Sequence, residues 1–174
     1  MADPITLERI ITFLLEAPMF GDLDEEELSE IVHILQVQRV RQGHHVFREG
    51  DVGDAWYVIY EGHVEVVKDD GAEITRITEF GPRSCFGEMA ILEHSTRSAS
   101  VRALTDCTLF KFPRTDFDGL LKSDNLSAYK LIHQMALVLA TRQRVTTARL
   151  AEMLAGRRED DDLAELAHGN LHTE

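Results

Sequence analysis

Only two cysteines, Cys85 and Cys107, occur among the 174 residues, and two sulfurs have neither the number nor the spacing for a zinc site, an iron–sulfur cluster or a disulfide framework. They are expected to be reduced, buried small hydrophobes. Positive charge is scarce as well: 18 Lys and Arg face 31 Asp and Glu, for a net charge of -13. Such a surface argues against nucleic acid or an anionic membrane as partner. It does not forbid a small anionic ligand, because a local arginine and a helix start can dominate inside a pocket. The longest strongly apolar run, residues 135–140, is far too short to span a bilayer, and the opening Met-Ala-Asp-Pro carries no basic and apolar signal region. The expectation is one soluble, cytoplasmic domain, large enough to hold its core without a metal or disulfide staple.

Catalytic patterns are absent too. There is no Gly-x4-Gly-Lys phosphate loop, and no Ser/His/Asp or Cys/His arrangement beyond chance. A metal site built from two histidines on one strand needs one residue between them. His44 and His45 are adjacent, so on a strand they face opposite sides and cannot share a metal. His63, His94 and His133 are scattered and read as surface residues. The chain is expected to be no enzyme and to hold no metal or cofactor.

What is present is concentrated in residues 86–101, which read Phe-Gly-Glu-Met-Ala-Ile-Leu-Glu-His-Ser-Thr-Arg-Ser-Ala-Ser-Val. Gly87 allows a close backbone approach where a side chain would obstruct it. The residues from Glu88 to Leu92 read as one helical turn, whose start offers unpaired N–H groups to an anion. Arg97 adds a full charge and a planar donor fork suited to phosphate oxygens. Glu88 cannot bind a phosphate, and accepting a hydrogen bond from a ribose hydroxyl fits it. The alternative is a plain salt bridge between Glu88 and Arg97 at a sheet edge, with Gly87 an ordinary turn residue. Small residues at Ala90, Ala99 and Ala103, where larger ones would fill a wall, favour a cavity.

This segment resembles the phosphate-binding cassette of cyclic nucleotide-binding domains, found in bacterial catabolite activator proteins, protein kinase regulatory subunits and nucleotide-gated channels. The family pattern is Phe-Gly-Glu-aliphatic-Ala-aliphatic, a short loop, then Arg-Ser/Thr/Ala-Ala-Ser/Thr-Val, and every element of it is present. The resemblance implies that Glu88 takes the ribose 2′-hydroxyl and Arg97 the exocyclic oxygens of the cyclic phosphate. Backbone from Gly87 through Met89 to Ala90 completes the cradle. Phe86, Ser98 and Ala99 flank it, the Ser98 hydroxyl near phosphate or purine. The ligand implied is cyclic AMP, or else cyclic GMP.

From residue 37 to 112, short segments are read as alternating apolar and polar residues, as in Ala55-Trp56-Tyr57-Val58-Ile59-Tyr60 and Val64-Glu65-Val66-Val67, separated by turn signals at Gly43, Gly50, Gly53, Gly62, Asp70-Gly71 and Gly81-Pro82. Many short strands with close turns indicate an antiparallel sandwich or jelly roll. The fold class expected is α+β, mainly β. The resemblance, which covers about residues 10–155, makes it an eight-stranded antiparallel jelly-roll barrel with N-terminal helices and a long C-terminal lid and dimerisation helix. The expected divisions are N-terminal helices over 1–35, the barrel over 36–112, a hinge and long helix over 113–156, and an acidic tail over 157–174.

Helices are expected over 5–15 and 24–35, the second with acidic residues in its first turn. Pro113 and the polar residues after it open another, to about residue 121. Ser123-Asp124-Asn125 then cap a helix from 126 to about 154. That helix carries two apolar stripes, one through Ile132, Ala136, Leu139, Thr146, Leu150 and Met153, the other through Leu131, Met135, Val138 and Val145. One small barrel cannot bury both, so one stripe faces the barrel and the other a second copy, forming a homodimer. Arg142 and Gln143 interrupt the stripes at the depth where activator-type proteins reach the purine. With Ile77 they are the candidate base contacts. Beyond Gly156, two arginines stand against six acidic residues, a composition that phosphates would repel; it reads as a tail, with Leu163, Leu166 and Ala167 as the residues that would extend a helix or dock on a partner. Activators of this family continue into a helix-turn-helix domain, which this tail cannot form. The expectation is therefore a sensor that acts through a protein partner; the alternatives are the sensor part of a Crp-like DNA-binding regulator and a purely structural jelly roll with no ligand. The sensor's mechanism would be ligand-gated packing, with a hinge over 120–125 turning the long helix over the base.

Overall fold

The computed structural model describes residues 5–69, 71 and 73–169, with backbone alone over 156–169. Three short helical pieces come first: α1 (Leu7–Leu15), a 3-10 turn (Pro18–Phe20) and α2 (Glu25–Val32). Thr6 caps α1, and α2 opens on a capping box. There Asp24 Oδ1 accepts from Glu27 N at 2.9 Å, and Glu27 Oε2 accepts from Asp24 N at 3.1 Å. Three acidic residues in its first turn suit the positive end of the helix.

Eight strands follow: β1 (Gln36–Val40), β2 (His45–Phe47), β3 (Ala55–Glu61), β4 (Val64–Asp69), β5 (Ile74–Phe80), β6 (Cys85–Phe86), β7 (Ser100–Ala103) and β8 (Cys107–Pro113). They form two four-stranded antiparallel sheets, ordered β1-β8-β3-β6 and β2-β7-β4-β5. The pairs 1·8, 2·7, 3·6 and 4·5 are nested, as in one long hairpin folded over on itself. The expected barrel is not closed: the edges of the two sheets do not pair with each other among the described residues. Two of the four edge strands, β2 and β6, have only three and two residues, too few to carry a ladder around the corner.

The core between the sheets is apolar, with Val40, Tyr57, Ile59, Val64, Phe86, Val101 and Leu109 all buried. Strand β3 does not alternate apolar with polar as the sequence reading has it; Ala55 through Ile59 are buried without a break. It lies inside its sheet and is covered on both faces. Ala55, Tyr57 and Ile59 point into the sandwich core. Trp56, on the opposite face, stacks on Phe112 at 4.1 Å and also meets Phe20 and Phe117. Gly62 makes the β3–β4 turn at φ +94°, where a Cβ would lie 2.5 Å from Asp106 O.

Between β6 and β7 lies α3 (Glu88–Glu93), and after β8 come α4 (Arg114–Lys122) and α5 (Leu126–Gly169). Asp124 turns the chain at φ +56°, and Asn125 is the cap, its Oδ1 accepting from Ala128 N at 2.9 Å. The first ten residues of α5 bury Ala128, Leu131 and Met135. With the cap Asn125 they also bond to α2 and the turn before it: Asn125 and Ser127 donate to Glu30 at 2.7 and 3.2 Å, Lys130 pairs with Glu27, and Gln134 with Asp22. Helical backbone continues to Gly169, past the expected end near 154 and through most of the segment read as a tail. Apart from Gly156, that stretch is rich in Ala, Leu, Glu and Arg, which favour helix. Residues 170–174 lie outside the described ones.

The chain divides into two compact units, Met1–Met135 and Ala136–Glu174, the second holding the rest of α5. Along it Leu137, Val145, Leu150, Met153 and Leu154 are exposed. Among the described residues, no helix is long and apolar enough to cross a membrane.

Candidate functional site

The 86–101 segment folds as its residue types require. Phe86 ends β6 with its ring buried and stacked on Tyr57 at 5.2 Å. Gly87 then takes φ +82° as the residue capping α3, and His94 ends that helix at φ +55°. Space as well as backbone angle demands a glycine at 87, since a Cβ there would sit 2.9 Å from Arg97 Nη1. The close approach that Gly87 allows is thus, first of all, that of Arg97. Glu88 is buried in the first turn, 2% exposed.

Arg97 is 3% exposed. Its Nη1 donates to Gly87 O at 3.0 Å, and Nη2 to Ala55 O at 2.7 Å and to Asp54 Oδ1 at 3.2 Å. The guanidinium lies over Phe47, Cζ 4.0 Å from the ring centroid, with the Tyr57 ring at 5.9 Å. Its Nε–H, also buried, has no hydrogen-bond partner among the described residues. The plain salt bridge weighed from sequence does not describe Arg97: its carboxylate partner is Asp54, and two of its three bonds go to carbonyls. The backbone is held too, Arg97 N donating to Asp51 O and Gly50 N to Arg97 O at 2.8 and 2.9 Å.

Ala90 is buried because the loop before β3 rests on it. A Cβ added to Gly53 would come within 2.3 Å of Ala90 Cβ. Met89 is 41% exposed. Ala99 is half-buried and Ser98 exposed. Ile77 is exposed on β5, at the irregularity where Val66 pairs with Thr78 and Val67 with Arg76. Arg142 and Gln143 belong to the second unit, where Gln143 is exposed and donates to Thr147 at 3.5 Å. The structure therefore brings together Phe86, Gly87 and Arg97, with Glu88 and Ala90 buried alongside. It adds Phe47, Gly53, Asp54, Ala55 and Tyr57, which sequence reasoning missed. Gly50 and Gly53 were read only as turn signals, and the aromatic positions of β2 and β3 only as strand.

The electrostatics follow from burial. Burial lowers the pKa of Arg97 more than the nearby Asp54 and Tyr57 restore it. Burial by itself would raise Asp54, but the hydrogen bond and charge of Lys111, followed by the charge of Arg97, bring it below the usual value. Tyr57 is pushed up to about 12, by burial first and the Asp54 charge second. The centre is a buried cation whose partners are mostly neutral carbonyls, with a donor to spare. Such a centre suits an anion, and the short N–H···O⁻ bonds it can form are roughly twice as strong as neutral ones. Among the described residues, no three His, Cys, Asp or Glu stand close enough together to hold a metal.

A buried arginine closed against a glycine turn, at the start of a short helix within two antiparallel sheets, defines a class of domain, and the comparisons name it. Residues 37–124 match the Cyclic nucleotide-binding domain family, and the chain belongs to that family. It is 33% identical over 105 residues to the cAMP-dependent protein kinase regulatory subunit of Eremothecium gossypii, covering 60% of this chain and 22% of that protein. It is 33% identical over 129 residues to the Cyclic AMP receptor protein of Thermus thermophilus, covering 74% of this chain and 58% of that one. The chain thus spans between about a fifth and three fifths of these relatives. Among solved structures, a cyclic nucleotide-binding domain from Methylobacillus flagellatus superposes with a TM-score of 0.75 at 26% identity, over 82% of this chain and 83% of that one.

Proposed function

We propose that this chain is a regulatory sensor that binds a cyclic nucleotide, cyclic AMP before cyclic GMP. Arg97 holds the exocyclic phosphate oxygens, Glu88 the ribose 2′-hydroxyl, and backbone from Gly87 to Ala90 closes the cradle. Phe86 and Ala99 line it, Ser98 and Met89 stand at its rim, and Ile77, Arg142 and Gln143 are the candidate base contacts. The single observation that carries this reading is the buried Arg97 guanidinium, held by two carbonyl oxygens and Asp54, with Nε–H still to be satisfied. A phosphate oxygen supplies what that group lacks. The cyclic AMP in the names of the two sequence relatives supports that base.

Ligand binding reorients the long helix about residues 120–125, over the base. The ligand shifts this equilibrium only by its difference in affinity for the two arrangements. The output passes to a protein partner, and two copies pair along α5. Calorimetric titration of the protein and of Arg97→Ala with cyclic AMP and cyclic GMP tests the reading. Binding of cyclic AMP that is lost in R97A supports it; no binding of either nucleotide at high micromolar concentration sinks it.

The likeness to the Cyclic AMP receptor protein favours a second reading, the sensor part of a DNA-binding regulator. A gel shift with random duplex DNA decides: salt-sensitive retardation revives that reading, and none is expected at this net charge.

A further inference from the structure

Lys111 is no candidate ligand contact, yet its ammonium holds the carboxylate that Arg97 also holds. On β8 it lies opposite Tyr57 of β3, and residues directly opposite each other across a ladder share a face of the sheet. From there Nζ meets Asp54 Oδ2 at 3.1 Å, while Arg97 Nη2 meets Oδ1 of the same carboxylate at 3.2 Å. One anion serves two cations, an oxygen to each. The side chains differ in their access to water: Arg97 is 1% exposed, Lys111 23% and Asp54 59%. Arg97 has the least solvent to compensate its charge, so its share of Asp54 governs how strongly it draws a further anion. Against burial, Lys111 and Arg97 together hold the Asp54 carboxyl below its usual value.

We infer that Lys111 is a positioning residue of the phosphate site: by holding Asp54 it keeps that carboxylate from neutralising Arg97, and so raises affinity for the cyclic phosphate. This rests on the assignment of Arg97 to phosphate. Asp54 and a ligand phosphate are two anions competing for one guanidinium. With Lys111 the Lys111–Asp54–Arg97 triad carries one net positive charge; without it the triad is neutral. Asp54 then turns wholly to Arg97, and an incoming phosphate must displace a fully charged competitor.

The test is calorimetric titration with cyclic AMP of the wild-type chain, K111M, K111R, D54N, the D54N/K111M double variant and R97A. K111M is expected to raise Kd about fivefold, in keeping with a partly exposed ion pair. K111R should stay within about twofold of wild type, because it restores the charge. On the D54N background, loss of Lys111 should change Kd by less than about twofold, since the effect passes through that carboxylate. An unchanged Kd in K111M overturns the inference. So does a weakening of equal size with and without Asp54, which marks a general structural effect. K111Q makes the same comparison if K111M fails to fold. These failures leave the phosphate assignment standing; a wild type that takes no cyclic AMP, or an R97A that binds like wild type, overturns that assignment and this inference with it.

Discussion

The carbonyl oxygen of Gly87 accepts a hydrogen bond from Nη1 of Arg97 at 3.0 Å, so the turn and the arginine, ten residues apart, close on each other. Everything between them, the α3 helix and the loop after it, is drawn into one compact cradle. The chain's own carbonyls hold the cation in place.

Because Arg97 acts through a planar fork, charge alone does not replace it. Arg97→Lys keeps the charge but has three donors on one nitrogen and no Nε–H. Kd for cyclic AMP is expected to rise about tenfold, and about a hundredfold or more in Arg97→Ala. Equal affinities of R97K and wild type by calorimetry would show that geometry plays no part.

A ribose role for Glu88 predicts a dependence on the 2′-hydroxyl. Glu88→Gln is expected to weaken cyclic AMP at least about tenfold, the worth of a hydrogen bond to a charged group. The same substitution should change the affinity for 2′-deoxy cyclic AMP less than about threefold. Titrating both ligands into both proteins gives the comparison, and an equal loss for the two ligands removes Glu88 from the ribose.

The contact of Gly53 with Ala90 predicts a packing defect next to the cradle. A Cβ at 53 would lie 2.3 Å from Ala90 Cβ and 2.9 Å from Ser95 O, so Gly53→Ala must push the α3 segment outward. A loss of about 2 kcal/mol is expected, or several degrees in Tm, with weaker nucleotide binding. Adding Ala90→Gly relieves the closer clash and should restore part of both; thermal melts of the single and double variants check it.

Acid sensitivity is expected from Glu65. This carboxylate of β4 is 2% exposed between Arg102 and Arg76, with Nε···O distances of 2.8 Å to each. Burial works to raise its pKa, but the hydrogen bonds and charges of the two arginines outweigh burial and lower it. A depressed folded value means that the stabilisation is fully present above the unfolded value, near pH 4–5, and is lost as the pH falls through the lower folded value. Denaturant unfolding from pH 7 to pH 3 should show stability falling below about pH 4 in wild type. In Glu65→Gln that fall should be shallower, from a lower start at pH 7.

Pairing through α5 is checked by sedimentation. Leu150 and Leu154, one turn apart, are 54% and 50% exposed. The chain is expected to sediment as a dimer, and Leu150→Asp with Leu154→Asp as a monomer that still binds cyclic AMP. A wild-type monomer at high micromolar concentration refutes the pairing.

The 86–101 segment was legible because its chemistry is local. A left-handed glycine, a short helix, a carboxylate and an arginine within sixteen residues announce themselves by type and spacing. The helix starts were legible for the same reason, Asp24 with Glu27 and Asn125 with Ala128 being contacts between residues three apart. Strand β3 was not, because alternation presumes one wet face and β3 has none. Nor was the opening of the barrel, which depends on how few residues β2 and β6 can pair. The far end of α5 was legible only as two alternatives, because the charge of residues 157–174 favours a tail while Leu163, Leu166 and Ala167 favour more helix.

Neighbouring residues, then, settled the family, the candidate anion cradle and the places where helices begin, since those rest on backbone angles and contacts within a turn or two. Folding alone settled what Arg97 touches. Asp54 and Ala55 lie more than forty residues before it, and Phe47 fifty before it; pairing of distant strands brings them to one place. Lys111 reaches Asp54 across fifty-seven residues by the same means. Sheet register is set by burying one set of faces across the whole sandwich, and no stretch of sequence contains that constraint.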